Sequence, residues 1–141
     1  MNKIQDRLRI AIAKGETEEV KALLEAGAKT NTGFSTGWTP LMVAAEHENI
    51  KMIDLLIAYG AEINKADPSG QTPLHIAVDI SIDGIIQDGG NYGDEPTETI
   101  LCLLKHGADL NAKDNKGQTP FDWACNYRSQ KIIRLLQTFQ P

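Results

Sequence analysis

Apolar residues recur along the chain in pairs of short helical patterns that are separated by turn residues. One apolar pattern follows Thr39 and Pro40, and a second begins at Ile50 and ends at Gly60. Thr39 suits the N-cap of the first pattern, and Pro40 suits its first helical position, where the missing N–H costs nothing. Gly60 suits the C-terminal end of the second pattern. The segment therefore predicts a helix, a tight turn and a second helix, followed by an extended hairpin loop.

The same unit returns 33 residues later and then once more after a longer interval. The repeated segments are Thr39-Pro40-Leu41-Met42, Thr72-Pro73-Leu74-His75 and Thr119-Pro120-Phe121-Asp122. An asparagine stands eight residues before each threonine and a glycine two residues before it, at Asn31, Asn64, Asn111, Gly37, Gly70 and Gly117. Turn residues such as Asp67-Pro68-Ser69-Gly70 join the units.

A self-similarity near 33 residues with a TPLH-type segment resembles the ankyrin repeat. The resemblance implies an all-α ankyrin-repeat solenoid that forms a single domain over residues 1–141. We expect four repeats at about 4–36, 37–69, 70–116 and 117–140. The first and last repeats carry polar residues on their outer faces and are expected to act as caps, which would make the array complete in itself.

The third repeat is longer than the others. Thr39 and Gly60 are separated by 21 positions, whereas Thr72 and the matching Gly107 are separated by 35, so fourteen residues have been inserted. The insertion predicts a long loop over residues 81–98, between the two helices of the third repeat. Such insertions lie on the surface and often carry function.

The net charge of −5 is concentrated around this insertion. The stretch between Lys65 and Lys105 contains seven carboxylates and no Lys or Arg. This field disfavours nucleic acid and predicts a protein partner with a basic surface. The sequence has neither an apolar run long enough for a membrane helix nor a signal peptide, and its two cysteines are interpreted as buried thiols. We therefore expect a cytoplasmic monomer without membrane association.

The sequence contains no known enzyme signature. The histidines and cysteines fall in different repeats, so we expect no enzyme activity, no catalytic residues, no cofactor and no metal site. One alternative is a calcium loop, because Asp79, Ser81, Asp83 and Gly84 have the spacing of an EF-hand loop. The glutamate expected at position twelve of that loop is replaced by Gly90, and an acidic loop that faces a partner is the favoured interpretation.

The resemblance also implies where a partner would bind, because ankyrin proteins recognise partners through hairpin tips and the exposed ends of first helices, which line a concave side. Carried over by register, the candidates outside the insertion are Phe34, Ser35, Thr36, Trp38, Glu46, His47, Pro68, Ser69, Gln71, Asp79, Asn115, Lys116, Gln118, Asn126 and Tyr127. The insertion adds Asp83, Asp88, Asp94 and Glu95. His75 is expected to have a structural role, and Trp123 is expected in the core.

Two alternatives remain open for the aromatic pair Phe34 and Trp38. They either form a binding hot spot or pack on each other over the first repeat. In the first case, a variant with alanine at both positions should stay folded and bind more weakly.

The predicted function is stoichiometric protein binding. The segment "AVDISIDGIIQDGGNYGDEPTETI" resembles insertions in ankyrin immunity proteins of bacterial toxin systems. The alternative is a generic adaptor or regulatory subunit of a cellular enzyme, and an enzyme is a distant third.

Overall fold

The computed structural model describes residues 3–88 and 97–139, and for residues 83–88 it describes the backbone alone. These residues form eight α-helices and contain no strand. The helices are α1 (Lys3–Lys14), α2 (Thr17–Glu25), α3 (Pro40–Glu46), α4 (Ile50–Ala58), α5 (Pro73–Asp88), α6 (Glu98–Lys105), α7 (Pro120–Asn126) and α8 (Gln130–Thr138).

The helices pack in two layers. The first helix of each repeat packs on the next first helix, in the order α1, α3, α5, α7, while α2, α4 and α6 pack in the same way in the second layer. Apolar side chains from both layers form one core, and its fully buried members include Leu8, Ile12, Leu41, Ile53, Leu74, Leu103 and Ile132. We call the surface of α1, α3, α5, α7 and their hairpins the first-helix face, and the surface of the other helices the second-helix face. Within the described residues, no helix has the length and apolarity needed to span a bilayer.

The predicted N-caps of the first helices are present. The Thr39 hydroxyl accepts a hydrogen bond from the Met42 N–H at 3.4 Å, and Thr119 caps α7 through the Asp122 N–H at 3.1 Å. Pro40 occupies the start of α3 as expected. These bonds satisfy N–H groups that have no partner inside the helix.

Three hairpins connect successive repeats, and each is closed by the same backbone bond. The N–H groups of Phe34, Asp67 and Asp114 donate to the carbonyls of Trp38, Gln71 and Gln118 at 2.8, 2.9 and 2.9 Å. The hairpins stack closely: a Cβ on Gly70, whose φ is +78°, would lie 2.7 Å from Asn115 Oδ1. The Asn115 side chain also donates to the Pro68 carbonyl at 2.8 Å. The hairpin tips of repeats 2 and 3 therefore form one surface.

Two of the three repeated asparagines, Asn31 and Asn64, join one repeat to the next. Asn31 Oδ1 accepts from the Glu62 N–H at 2.7 Å, and Asn64 Oδ1 accepts from the Asp109 N–H at the same distance. Their amide groups donate to the carbonyls of Gly60 at 3.0 Å and Gly107 at 3.4 Å. At Asn31 and Asn64, the same position of the repeat thus forms the same pair of hydrogen bonds to the following repeat.

The prediction of a loop over residues 81–98 is wrong for the first part of this range, because α5 continues through Asp88. In the other repeats the first helix ends at a left-handed residue, namely Gly15, Glu48 or Arg128, with φ of +73°, +52° and +57°. The equivalent Ser81 is buried and helical. Val78 and Ile82, four residues apart, are both buried, so the apolar stripe carries the helix past this point. Since residues 79–84 are helical, they do not form an EF-hand loop.

Candidate protein-binding face

A groove lies between the first two repeats on the first-helix face. Its volume is about 280 Å³, and its lining comes from α1, the first hairpin and α3: Arg9, Ala13, Thr36, Trp38, Val43, Glu46 and His47. We call it the Trp38 groove. Four of these residues, Thr36, Trp38, Glu46 and His47, are sequence-predicted candidates, and the register of the repeats is what brings them together.

The Trp38 groove combines an apolar wall with charges of both signs. Trp38 is half-buried and packs against the core with part of its indole facing the groove. Arg9 and Glu46 are exposed, and Glu46 lies 3.9 Å from His47 Nε2. A surface of this kind suits a polypeptide that presents both apolar and charged side chains.

The two aromatics of the first hairpin separate into different environments. Phe34 is only 8% exposed and belongs to the core, whereas Trp38 remains partly accessible. For Phe34 the burial argues against a hot spot, and packing of the two rings on each other stays a prediction. The expectation that a double alanine variant stays folded loses its physical basis, because removing a buried phenylalanine leaves a cavity.

Two further grooves lie between the third and fourth repeats. The Tyr127 groove, of about 340 Å³, is lined by Asp79, Gln118, Trp123, Asn126 and Tyr127. The Lys116 groove, of about 370 Å³, is lined by Ser69, Gln71, Asp114, Asn115, Lys116, Gln118 and Trp123. Because both grooves share Gln118 and Trp123, they form one continuous surface. Its exposed aromatic is Tyr127, whose hydroxyl donates to Asp79 Oδ1 at 3.2 Å.

Trp123, which the sequence placed in the core, is partly buried and contributes to both of these grooves. Its indole N–H donates to Asp114 Oδ2 at 3.1 Å, and its ring contacts His75 edge-on with centroids 5.3 Å apart. The expectation of a core residue is therefore correct for only part of the ring. The unrecognised signal was Asp114, nine residues earlier, which can accept the indole proton.

Asp114 fixes the third hairpin. Its Oδ1 accepts from the N–H groups of Lys116 and Gln118, both at 2.9 Å. Desolvation raises the pKa of Asp114, but the hydrogen bonds from Gln118, Lys116 and Trp123 outweigh it and lower the pKa below its ordinary value. The Lys116 groove is thus built around a stabilised carboxylate.

His75 has the structural role expected of it. The ring is fully buried, and its Nδ1 accepts from the Thr72 N–H at 3.1 Å. Nε2 therefore carries the proton and donates to the Gln118 carbonyl at 2.9 Å. This contact holds the third hairpin against α5.

The acidic candidates of the insertion contribute no described side chain to these grooves. Asp83 and Asp88 belong to α5, where the structure describes only the backbone, and Asp94 and Glu95 lie outside the described residues. Their role in binding stays a prediction.

One set of possible metal ligands lies on the opposite, second-helix face, where Asp54, Cys102 and His106 converge. Burial, reinforced by the charge of Asp54 and a hydrogen bond to it, raises the pKa of Cys102 to about 11 in the metal-free protein. Sequence reasoning missed this cluster because its members come from two repeats. The available signal was the four-residue spacing of Cys102 and His106, which places both on one side of a helix.

Comparison with known sequences agrees with this architecture. The family model described as "Ankyrin repeats (3 copies)" matches residues 8–86, and the model described as "Ankyrin repeat" matches residues 69–115. The chain belongs to the ankyrin-repeat family. Repeats of this family mediate protein–protein binding and are generally non-catalytic.

Similar curated proteins include "Ankyrin repeat, SAM and basic leucine zipper domain-containing protein 1" from several mammals. The rabbit (Oryctolagus cuniculus) protein is 40% identical over 47 residues, which are 33% of this chain and 10% of that protein. The sheep (Ovis aries) protein is 34% identical over 53 residues, which are 38% of this chain and 11% of that protein. The matched segments span about a tenth of the length of these relatives, so the likeness concerns the repeats alone.

Proposed function

We propose that this ankyrin-repeat protein binds another protein stoichiometrically through its first-helix face and performs no catalysis itself. The observation that carries the proposal is the gathering of Trp38, Glu46 and His47 with Arg9 in one groove between repeats. The Tyr127 and Lys116 grooves extend the same face toward the fourth repeat. A partner that covers all three would contact side chains from every repeat, which suits a folded domain or a long segment.

The test compares capture of proteins from a lysate of the native host by three immobilised variants. Trp38→Ala removes the aromatic side chain of the Trp38 groove, and Tyr127→Ala removes the exposed one of the Tyr127 groove. Lys51→Ala alters an exposed residue of α4, on the second-helix face, and is the matched control. A specific partner is retained by the wild type and by Lys51→Ala. A hot-spot aromatic is worth about 2 kcal/mol, so Trp38→Ala should weaken its affinity about 30-fold. If every captured protein binds the three variants equally, the first-helix face is not the binding surface.

We propose further that the partner presents a basic surface to the acidic insertion. The support is the stretch between Lys65 and Lys105, with seven carboxylates and no Lys or Arg. Opposite charges speed association and lose this effect as salt rises. Replacing Asp83, Asp88, Asp94 and Glu95 by their amides should lower the association rate at low salt and flatten its salt dependence.

The matched control for this variant removes the same charge elsewhere. Asp6, Glu16, Glu18 and Glu62 are exposed carboxylates distant in sequence from the insertion. Their neutralisation should change the rate less than neutralisation of the insertion does. Equal effects of the two variants would mean that net charge alone, and not the insertion, attracts the partner.

An immunity protein that neutralises a bacterial toxin fits this description, because a toxin that acts on nucleic acid has a basic active site that an acidic insertion can occupy. The second candidate is an adaptor or regulatory subunit of a cellular enzyme, which the general use of ankyrin repeats favours. Co-expression separates the two. An immunity protein restores growth to cells that produce the captured partner, whereas an adaptor changes the location or activity of a partner that is not toxic.

We propose that the chain acts as a monomer in the cytoplasm. Both cysteines are free thiols, which suits a reducing compartment. Cys102 is buried as expected, whereas the interpretation of Cys125 as a buried thiol is wrong, because Cys125 is exposed. Sedimentation should give a single species at the monomer mass, and a concentration-dependent dimer would overturn this part of the proposal.

A further inference from the structure

A groove of about 340 Å³ lies between α4 and α6 on the second-helix face, away from the proposed binding face. It is lined by Ile50, Asp54, Glu98, Leu101, Cys102, Lys105 and His106. Three of these side chains, Asp54, Cys102 and His106, bring a carboxylate, a thiol and an imidazole together. We call them the Cys102 cluster.

The geometry of the cluster follows from the helices. Cys102 and His106 are four residues apart on α6, so they lie on the same side of that helix. Asp54 reaches them from α4, and its Oδ1 lies 2.9 Å from His106 Nε2 and 3.6 Å from Cys102 Sγ. All three ligand atoms lie within 4.8 Å of one another.

These donors match the preferences of zinc. Zinc takes sulfur, imidazole nitrogen and carboxylate oxygen in tetrahedral sites with bonds of about 2.0–2.3 Å. Such bonds place neighbouring ligand atoms about 3.3–3.8 Å apart. The 3.6 Å between Cys102 Sγ and Asp54 Oδ1 is within this range, and the hydrogen-bonded pair of Asp54 and His106, at 2.9 Å, needs only a slight separation to admit the ion. A thiolate is a poor ligand for magnesium or calcium, which prefer oxygen.

We propose that Asp54, Cys102 and His106 form a zinc site with an open fourth position that links repeats 2 and 3. Cys102 is buried at the bottom of the groove, whereas the side chains of Asp54 and His106 are 56% and 35% exposed. An ion can therefore enter from solvent, and a water molecule completes its coordination. Binding replaces the thiol proton of Cys102, which is released to solvent. The Nε2 proton that His106 donates to Asp54 in the metal-free protein moves to Nδ1 by exchange with solvent, so that Nε2 can bind the ion.

The competing explanation is that Asp54 and His106 form only an inter-repeat hydrogen bond and that Cys102 is a core thiol. The two explanations differ in whether the thiol becomes a ligand. Cobalt(II) reports on this difference because its thiolate complexes absorb in the near ultraviolet by charge transfer, while tetrahedral coordination gives intense visible bands.

The experiment titrates the full chain, freed of metal and kept reduced by a phosphine, with Co²⁺ and then with Zn²⁺. We expect one equivalent of Co²⁺ to bind with both sets of bands and Zn²⁺ to displace it. Cys102→Ser should lose the charge-transfer band, and His106→Gln, at a solvent-accessible position, should bind at least about tenfold more weakly. Cys125→Ser, which alters the exposed cysteine of α7, should behave like the wild type.

Three results would overturn the proposal: no saturation by up to about 1 mM metal, a charge-transfer band that survives in Cys102→Ser, or equal affinity in His106→Gln and wild type. Circular dichroism of each metal-free variant shows whether it is folded. If Cys102→Ser does not fold, His106→Gln and Cys125→Ser still decide, because the cluster requires the first to weaken binding and the second to leave it unchanged. The site is contradicted if His106→Gln binds the metal as tightly as the wild type or if Cys125→Ser binds it more weakly.

Discussion

At the scale of single residues, neighbouring aromatics of one hairpin have different roles. Phe34 stands where the later hairpins have Asp67 and Asp114, and its ring is buried instead of accepting backbone hydrogen bonds. Trp38 keeps part of its ring accessible in the Trp38 groove. The sequence shows that both residues are aromatic. Their positions relative to the core, which only the structure gives, determine which of them a partner can contact.

We predict that Phe34→Ala lowers the free energy of unfolding by about 3 kcal/mol, because truncating a buried phenylalanine removes its contacts and leaves a cavity. Trp38→Ala should cost less, since its side chain is already partly solvated. Urea unfolding followed by circular dichroism measures both values. Similar small losses would mean that Phe34 is not part of the core in solution.

Asp114 gives a pH-dependent prediction. Because its folded pKa lies below the ordinary value of 3.8, ionised Asp114 stabilises the fold above that value, and this contribution is lost as the pH falls through the lower folded pKa. Asp114→Asn should therefore be less stable than wild type at neutral pH, and the difference should disappear in strong acid. Urea midpoints of both proteins across this range provide the measurement. A difference that stays constant with pH would rule out the charge as its cause.

At the scale of elements, the sequence predicted the helices well wherever the local signals were complete. Thr39 and Thr119 cap helices that begin with proline, as the repeated segment indicates. The end of α5 was less predictable. Its glycines, such as Gly84, suggested a loop, whereas the buried Val78 and Ile82 favour continued helix. Tertiary burial outweighed local propensity there, and a sequence without structure does not show which residues will be buried.

The turns inside the repeats give a prediction about strain. Arg128 adopts a φ of +57° in the turn between α7 and α8, where the first repeat has Gly15. A left-handed conformation costs a non-glycine residue about 1–2 kcal/mol, and glycine avoids this cost. Glycine also makes the unfolded chain more flexible, which offsets about 0.5–1 kcal/mol of the stabilisation. Arg128→Gly should therefore stabilise the protein by about 0.5–1 kcal/mol in urea unfolding.

Arg134→Gly is the matched control because it makes the same substitution at an exposed position inside α8. It should destabilise the protein by about 1 kcal/mol, the usual cost of glycine in a helix. If both variants lose stability equally, Arg128 is not strained in solution.

At the scale of the whole molecule, the register of the repeats predicted much of the binding face but not all of it. It placed Thr36, Trp38 and His47 near one another, and the structure puts them in one groove. Arg9 was overlooked because the first repeat was interpreted as a polar cap. The Cys102 cluster was overlooked because its ligands come from different repeats, and the distance between α4 and α6 is set by packing and not by spacing in the sequence.

The stacking of the repeats depends on the regularly spaced asparagines. Asn64 joins repeat 2 to repeat 3 by two hydrogen bonds, to the Asp109 N–H and the Gly107 carbonyl, and Asn31 joins repeats 1 and 2 in the same way. Asn111 has the same position in the period, but within the described residues its side chain forms no such bridge. Substituting each of the three asparagines therefore tests whether stability depends on the inter-repeat hydrogen bonds or only on an asparagine at this position of the repeat.

We predict that Asn31→Ala and Asn64→Ala each cost about 1–2 kcal/mol, because each loses two hydrogen bonds worth about 0.5–1.5 kcal/mol apiece, part of which water replaces. Asn111→Ala should stay within about 0.5 kcal/mol of wild type. Urea unfolding measures the costs, and hydrogen exchange locates them: the Asp109 amide should exchange faster in Asn64→Ala and the Glu62 amide in Asn31→Ala. In a solenoid, where each repeat is stabilised by its neighbours, weakening one interface should loosen the chain locally before it unfolds globally. Equal losses in all three variants would instead assign the asparagines a role within their own loops.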